Sequence, residues 1–492
     1  MSEQADLHSV PEMRLAEALV PIILLILLLA GAVASFGDGA TGGPAQIALI
    51  VSGMVAAAIG VRKGLTWDML EKAVIQSVSR SAVAILILLS VGALIGVWMA
   101  AGVIPTIIYY GSQVLSPTIF YVAALLVCAI VSVVIGSSWT TAGTIGIALI
   151  SIASAMGLSV EVTAGAIISG AYFGDKLSPM SDTTNLASGL SGTDLFKHIT
   201  FLLWTTTPSF VVALIFFAGA TMMMSDVMPE SQIEALRQSI SETFSLNPVL
   251  FLPLLAMFGM GISRVPAFVA IFVSTLIGGL LGSVFQHTAT DAGGLAGALE
   301  HVKAYWLAAA SGYEASSGEP ILDELLSGGG MDSMLTTIWL IVSAMFFSGM
   351  MERTGMLQRI LVSLLLLFKK DGSLVAGAGV TALATNAIAS DQYLSIVLTS
   401  RMYADEFKKR GLDPVNLSRA VEDSGTVTSP LVPWNTCGAF MAGTLGVPTL
   451  AYLPYCIFNL VNPVIAMLYA AMGFKIMRLG EDDAAPEINP AK

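Results

Sequence analysis

Charged residues are scarce in this sequence. Of its 492 residues, 22 are Lys or Arg and 34 are Asp or Glu, so charged residues make up 11% of the chain. A typical globular protein has about 25% charged residues, whereas this chain is 55% hydrophobic. Too few polar side chains are available to cover a soluble protein of this length. The composition therefore predicts an integral membrane protein.

Cysteine and histidine are also rare, and the basic residues form no stripe. The three cysteines, Cys128, Cys437 and Cys456, stand in apolar surroundings without metal-binding spacing, so we expect them to be packing residues. The four histidines are expected in the N-terminal tail or at loop edges. These patterns give no signal for a soft-metal site, an organic cofactor or nucleic acid.

Long apolar runs are abundant. Residues 15–36, 199–224, 265–285 and 445–474 each reach the roughly 20 residues that a helix needs to cross the hydrocarbon core. They are apolar on every face, unlike the alternating strands of a membrane barrel. Residues 15–36 lack a basic leader and are too long for a signal peptide, so they are expected to be a retained first helix. The predicted fold is an all-α polytopic membrane protein with about 12 crossings.

The sequence contains an internal repeat, since three patches recur in the same order at nearly one offset. They are residues 96–102 with 349–355, 138–140 with 390–392, and 178–180 with 429–431. The predicted organisation is a cytoplasmic tail (1–14), a first membrane repeat (15–224), an acidic linker (225–245), a second membrane repeat (246–477) and a C-terminal tail (478–492).

Basic residues in short loops indicate the cytoplasmic side of a membrane protein. Arg62 and Lys63 mark one loop of the first half, and residues 401–410 mark a loop of the second half. The matching loop of the other half is not basic in either case. Opposite loop charge in the two halves is typical of inverted-topology repeats, here with a cytoplasmic N-terminus. The alternative is a pair of parallel halves whose loop charges differ by chance.

Polar residues cluster at equivalent places in the two halves. The clusters are residues 137–141 and 175–185 in the first half, and 386–392 and 422–436 in the second. Both combine Ser, Thr and carboxylates with prolines that interrupt helical hydrogen bonding. Irregular backbone is tolerated inside a membrane only where protein buries it or where it lines a wet cavity. Two equivalent broken helices therefore predict a binding site at the interface of the repeats.

Carboxylates, hydroxyls and amide carbonyls are the oxygen ligands that small hard cations prefer. A carboxyl group in a low-dielectric pocket also favours its protonated form, so one site can hold a proton and a cation in turn. Structural interpretations remain open for several residues. Asp182 would cap a half-helix, Asp175 would pair with Lys176 at a membrane edge, and Glu422 would pair with Arg419 one turn earlier.

Three segments resemble conserved regions of the NhaC family of Na+/H+ antiporters. They are residues 170–199, which match the family signature, and residues 391–407 and 417–447, which match its second conserved region. The resemblance implies a secondary transporter of the ion-transporter superfamily, with inverted repeats, broken helices or re-entrant hairpins, and commonly a homodimer. Residues 434–436 are similar to the Ser-Asn-Thr tips of sodium-coupled carboxylate carriers in that superfamily, except that Trp434 replaces the serine.

The polar clusters and this resemblance together give the candidate ion- and proton-binding residues. They are Ser138, Thr140, Asp175, Ser178, Asp182, Thr183, Thr184, Asn185, Asp391, Asp423, Ser429, Asn435 and Thr436. Within this set, the residues expected to hold Na+ are Asp175, Asp182, Asn185, Asp423 and Asn435. Trp139 and Trp434 are expected to be packing residues, and Glu352 and Arg353 an interfacial pair.

The predicted function is Na+/H+ exchange by alternating access across the inner membrane of a bacterium, with Na+ and H+ as the transported ions. The alternative transporter is a Na+- and H+-coupled exchanger of organic acids such as malate and lactate, or a carrier of amino-acid-like substrates. It needs an anion site, for which Lys176 and the Ser, Thr and Asn turns are the only candidates. The sequence shows no deep arginine, which favours plain cations.

Two other classes fit the sequence less well. An intramembrane aspartyl protease would need a second motif besides the Gly174-Asp175 dipeptide, and an intramembrane serine protease would need a histidine near Ser137 or Ser138 within a span. The sequence indicates neither. A channel would line a continuous pore, whereas polar residues gathered at two broken helices favour an occluded site.

Overall fold

A computed structural model describes residues 12–222, 229–286, 295–316, 320–368 and 370–480. Within these ranges the chain is almost entirely helical, and β-type pairing is limited to two isolated bridges, Tyr313 with Gly328 and Leu412 with Arg478. The predicted all-α fold is therefore confirmed. Most of the predicted tails, residues 1–11 and 481–492, lie outside the described residues.

Twenty-four α-helices are described, eleven of them before residue 223. These eleven are α1 Leu15–Phe36, α2 Pro44–Arg62, α3 Trp67–Arg80, α4 Ala82–Ala100, α5 Val103–Val114, α6 Phe120–Ile135, α7 Ser138–Thr141, α8 Ile147–Ala155, α9 Val160–Leu177, α10 Asp182–Ser191 and α11 Leu195–Met222. The others are α12 Glu230–Thr243, α13 Leu252–Ile262, α14 Ala267–Phe285, α15 Leu295–Ser311, α16 Pro320–Leu325, α17 Leu335–Arg353, α18 Met356–Leu365, α19 Asp371–Ala389, α20 Gln392–Lys409, α21 Pro414–Val421, α22 Thr436–Leu445, α23 Thr449–Tyr452 and α24 Ile457–Met472.

Nine helices of the described ranges are long and apolar enough to cross a membrane, or eleven spans result if each of two bent helix pairs counts as one. The first helix has the predicted bounds. The apolar run 445–474, in contrast, is not one span, and the prediction of a single helix there is wrong. Gly446 adopts a left-handed conformation (φ 68°) that ends α22, and Pro448 then starts the next short helix at an angle. Apolar length alone does not reveal such a break.

The predicted acidic linker is largely helical where it is described. α12 covers Glu230–Thr243, and residues 225–228 lie outside the described residues. The region that follows α14 also contains helices, α15 and α16, rather than a plain loop. The short helix α18 begins after Gly355, whose φ of 75° matches that of Gly102 before α5.

Local backbone features recur 254 residues apart in the two halves. The pairs are the left-handed residues Gly136 and Ser390, the helix caps Ser137 and Asp391, Ser159 and Asp413, and Ser181 and Asn435, and the left-handed glycines Gly192 and Gly446. At this offset Ser390 matches Gly136, whereas the sequence patches matched Ser390 with Ser138. Helix starts and ends define the register better than residue identity does, because capping geometry constrains the backbone directly.

One end of the helical bundle carries ion pairs from many elements. They are Lys63 with Glu17, Arg80 with Glu352, Lys197 with Asp413, Arg410 with Glu406 and Arg478 with Asp371. We call this end the basic side. α4 begins two residues after Arg80, whereas α17 ends at Arg353, next to Glu352. α4 thus leads away from the Arg80–Glu352 pair and its counterpart α17 leads toward it.

Candidate functional site

The site is built from four irregular segments, two in each half. Two are helix starts that follow a left-handed residue: Ser137 leads into α7, and Asp391 leads into α20. The other two are the breaks at residues 178–181, between α9 and α10, and at residues 429–435, before α22. At each helix start the cap side chain accepts a backbone hydrogen bond, from Thr140 in the first half and Leu394 in the second. The predicted breaks are confirmed.

Asp175 is held by the first helix start. Its Oδ2 accepts hydrogen bonds from the backbone nitrogen and the hydroxyl of Ser138, at 3.0 and 2.7 Å. Its Oδ1 is buried and has no hydrogen-bond partner among the described residues. The alternative in which Asp175 pairs with Lys176 at a membrane edge is wrong, because both side chains are buried and Lys176 pairs elsewhere.

A fully buried ion pair joins the two halves. The Lys176 ammonium on α9 contacts Asp423 Oδ1 in the π-helical turn Glu422–Thr426, and both side chains have no solvent exposure. The same oxygen accepts hydrogen bonds from Thr205 (3.0 Å) and Asn462 (2.9 Å). Burying two charges is costly unless each is paired and hydrogen-bonded. The fold compensates both charges through this contact and these hydrogen bonds. Asp423 Oδ2, in contrast, has no partner among the described residues.

Glu422 also connects the halves. Its Oε1 accepts a hydrogen bond from the Thr183 hydroxyl at 3.2 Å, while its Oε2 is buried without a partner in the described ranges. The prediction of a Glu422–Arg419 pair is wrong. Arg419 instead lies over the Phe201 ring, 4.3 Å from its centroid, because α21 turns the two side chains toward different neighbours.

Arg419 corrects a second expectation. Its side chain is 1% exposed, and neither Nη1 nor Nη2 has a hydrogen-bond partner among the described residues. The protein therefore does contain a deep arginine. The burial of Arg419 was not predicted because this residue stands in a segment of mixed polarity, "NLSRAVED", rather than within a long apolar run.

Asp182 lies at an exposed position near the start of α10. The Tyr393 hydroxyl donates to Asp182 Oδ2 at 2.5 Å, and Oδ1 accepts from the backbone nitrogen of Thr183. The cap of α10 is Ser181, so the cap interpretation of Asp182 is wrong. Asn185, also exposed, donates its amide to the carbonyls of the break at Pro179 and Ser181.

The second helix start has its own polar group. Asp391 Oδ1 caps α20, and its Oδ2 lies 3.5 Å from the Thr436 hydroxyl. Asn435 caps α22 through Oδ1 and donates to Asn386 through its amide. These bonds fasten the break at residues 429–435 to the end of α19.

The remaining candidates make local contacts. Thr140 bonds to Ser137, Ser178 accepts from the Met180 backbone, Thr184 donates to the Lys176 carbonyl, and Ser429 donates to Gln392 and Thr426. Hydrogen bonds do not link any two of the five residues expected to hold Na+. Within the described ranges no three His, Cys, Asp or Glu side chains gather as a metal-binding group. A single ligand shell of those five residues stays a prediction.

Several packing expectations are confirmed. Trp139 stacks on Phe440 with 4.2 Å between ring centroids, and Trp434 donates its indole N–H to the Ala387 carbonyl. The three cysteines are buried and free. Glu352, at the end of α17, pairs with Arg80.

His198 lies at a loop edge as expected, on the first turn of α11, and its side chain is fully buried. The ring is buried because α11 packs against α21, where His198 Nδ1 contacts the Ser418 hydroxyl.

A membrane-spanning helical fold whose broken segments enclose buried carboxylates and a buried lysine defines an ion-coupled transporter. A family model described as the Na+/H+ antiporter family matches residues 170–474. Together with the relatives below, this match shows that the chain belongs to the NhaC family of Na+/H+ antiporters.

Relatives are similar over most of their length. The chain is 35% identical over 433 residues to the Na+/H+ antiporter NhaC of Alkalihalophilus pseudofirmus, covering 88% of this chain and 91% of that one. It is 36% identical to a malate-2H+/Na+-lactate antiporter of Bacillus subtilis, covering 87% and 90%. It is 34% identical to the arginine/ornithine antiporter ArcD of Halobacterium salinarum, covering 97% and 96%. These relatives are antiporters rather than enzymes.

Proposed function

We propose that this protein exchanges Na+ for H+ by alternating access, and that the buried Lys176–Asp423 pair is the centre of the exchange. The observation that carries the proposal is this ion pair between the halves. An isolated charge in a low-dielectric interior is expensive. A site that must keep one cation beside Asp423 can therefore accept Na+ only when the lysine gives up its own positive charge.

The chemistry of the pair suits such an exchange. Lys176 contacts two oxygen acceptors, Asp423 Oδ1 and Asn462 Oδ1, and Thr205 contributes a hydroxyl. Carboxylate, amide and hydroxyl oxygens are also ligands for hard cations. When Na+ occupies these oxygens, the ammonium of Lys176 releases one proton. When Na+ leaves, the amine takes a proton back, so one Na+ is exchanged for one positive charge carried as H+.

Alternating access would follow from the two-fold organisation of the chain. The recurrence of caps and left-handed residues supports two structural repeats, residues 15–224 and 246–477. The opposite directions of α4 and α17 relative to the Arg80–Glu352 pair support inverted topology. We place the basic side in the cytoplasm because Lys and Arg concentrate in cytoplasmic loops. The N-terminus then lies there too, since Glu17 at the start of α1 pairs with Lys63.

A second candidate is an exchanger of organic carboxylates, and the observation that favours it is Arg419. A buried guanidinium with unpartnered Nη1 and Nη2 has a geometry suited to bidentate binding of a carboxylate. Relatives that exchange malate, lactate, arginine or ornithine are about as similar to this chain as the Na+/H+ antiporters are. The substrate of this chain thus needs a direct test.

The test is proton flux in proteoliposomes with an imposed pH gradient. Addition of Na+ should dissipate the gradient, and Asp423→Asn should abolish this response. Asp371→Asn, which removes the partner of Arg478 at the surface, should retain it. The same vesicles are then tested with labelled malate, lactate, arginine and ornithine, with and without Na+. Wild-type vesicles that show no Na+-dependent proton flux, or full flux with Asp423→Asn, would contradict the proposal.

A further inference from the structure

A row of mostly polar contacts, here called the polar file, leads from the basic side toward the buried ion pair. It lies between α11 and α21 with the π-helical turn that follows, where three contacts stack along the helices. His198 Nδ1 lies 2.8 Å from the Ser418 hydroxyl, Phe201 packs under Arg419, and Thr205 donates to Asp423. Positions 198, 201 and 205 recur at helical spacing, so they share one face of α11.

The outer end of this polar file reaches the surface. Lys197 pairs with Asp413 at 2.8 Å, and the Lys197 side chain is 44% exposed. Asp413 caps α21, whose first turn includes the Val415 carbonyl that accepts from Ser418. The inner end is the Lys176–Asp423 pair. The polar file thus spans from the basic side to the proposed exchange centre.

In the described part of the chain, unpartnered polar atoms occur on the elements that flank the polar file. Among the described residues, the following buried atoms lack a hydrogen-bond partner: His198 Nε2, Thr206 Oγ1, Arg419 Nη1 and Nη2, Glu422 Oε2 and Asp423 Oδ2. Buried polar atoms are nearly always satisfied by protein or by ordered water. These residues lie on α11, α21 and the turn that follows, so their polar atoms are available to hydrogen-bond water or a transferred proton.

We propose that the polar file is a proton route between the basic side and the Lys176–Asp423 pair, separate from the route of Na+, with His198 as its relay residue. The inference rests on the proposed exchange of Na+ for H+. A histidine accepts a proton on one ring nitrogen and releases one from the other. Nδ1 faces Ser418, and Nε2 is the unpartnered nitrogen. One proton enters the ring for each that leaves, so no other reactant is consumed.

The charges along the file favour protons over Na+. The charged and titratable groups along the polar file are Lys197 on α11, Lys176 on α9, Asp413, Arg419, Glu422 and Asp423 on α21 and its flanking residues, and Tyr469 on α24. Lys197 is neutralised by Asp413, and Arg419 over Phe201 presents only N–H donors, so this step of the route offers Na+ no oxygen ligand. A proton moves instead by exchange of hydrogen bonds and needs no ligand shell.

The experiment separates proton-coupled from proton-independent transport in the same proteoliposomes. Na+-driven H+ flux requires both ions, whereas exchange of radioactive Na+ for unlabelled Na+ requires only the cation route. His198→Leu and Ser418→Ala should each slow Na+-driven H+ flux by on the order of 100-fold and leave Na+/Na+ exchange near wild type. His301→Leu is the control, because that ring stacks on Tyr305 on α15, away from the polar file. It should leave both rates unchanged.

Each other outcome has a defined meaning. Unchanged H+ flux in His198→Leu and Ser418→Ala would overturn the proton route and leave the exchange function intact. An equal loss of both rates in the conservative Ser418→Ala variant would also overturn it, because the contact would then serve structure alone. Wild-type protein that carries out Na+/Na+ exchange without any H+ flux would instead contradict the proposed function.

Discussion

The buried Lys176–Asp423 pair makes a quantitative prediction about stability. Asp423→Asn preserves the shape of the side chain, so its amide oxygen still accepts from Thr205 and Asn462, which lie 3.0 and 2.9 Å from Oδ1. The charge is lost, the unpartnered Oδ2 is replaced by an amide nitrogen, and Lys176 is left uncompensated in the interior. Removal of one partner from a buried pair costs about 3–5 kcal/mol. Lys176→Met should cost a similar amount, because it leaves the carboxylate alone.

The double variant Lys176→Met/Asp423→Asn should be more stable than either single variant, since an uncharged pair of similar volume removes the desolvation cost of both ions. The assay is unfolding of the purified proteins in one detergent, with free energies compared in a double-mutant cycle. Asp371→Asn is the matched control. Its ion pair with Arg478 is partly exposed, so its loss should cost no more than about 1 kcal/mol.

The cycle also has a result that would refute the reasoning. If the change in unfolding free energy of the double variant equals the sum of the changes in the two single variants, the two charges do not interact in the folded protein. All three variants at the pair should lack Na+-driven H+ flux, whatever their stability. Recovery of stability without recovery of transport in the double variant would separate the role of the charges in exchange from their role in folding.

Two further predictions concern the first half. Ser138→Ala removes the shorter of the two hydrogen bonds to Asp175 Oδ2 but keeps the backbone bond. The free energy of the transition state should rise by about 1–1.5 kcal/mol, so kcat/KM for Na+ should fall roughly tenfold. Unchanged kinetics would argue against a role for Asp175. Gly174→Ala would press a methyl group on the Ala129 carbonyl of α6 and should lower stability by about 1–3 kcal/mol, whereas Gly189→Ala, which has open space, should not; equal unfolding temperatures would contradict the close packing of α6 on α9.

The sequence predicted the features that depend on local chemistry. The bounds of α1 follow from a single apolar run, and the breaks near Pro179 and Pro430 follow from residues that cannot continue a helix. The broken run after Leu445 was missed because the glycine and proline that interrupt it are surrounded by residues as apolar as the helices themselves. Hydropathy averages over such a turn, whereas backbone geometry does not.

The pairing of charges could not be predicted in the same way. Lys176 and Asp423 are 247 residues apart, and the sequence places Asp175 beside the lysine and Arg419 near the aspartate. Neither neighbour is the true partner, because consecutive residues on a helix point in different directions. A lysine buried in a membrane-spanning helix needs a partner for its charge. Only the tertiary fold, which places the Lys176 side chain beside the turn Glu422–Thr426, selects Asp423 from several carboxylates.

The carboxyl groups of the site differ in how completely the protein satisfies them. Both oxygens of Asp182 and of Asp391 have protein partners. Asp175, Glu422 and Asp423 each have one oxygen with partners and one buried oxygen without any among the described residues.

A carboxyl group with one bonded and one unpartnered oxygen, like that of Asp175, Glu422 or Asp423, has a fixed orientation and a remaining acceptor. A reversibly bound cation or proton requires both. Filling that acceptor with a protein donor would stabilise the site and abolish its exchange. Asp391→Asn should therefore reduce transport less than Asp423→Asn does, because the first change affects a helix cap and the second removes the charge that the transported ion neutralises.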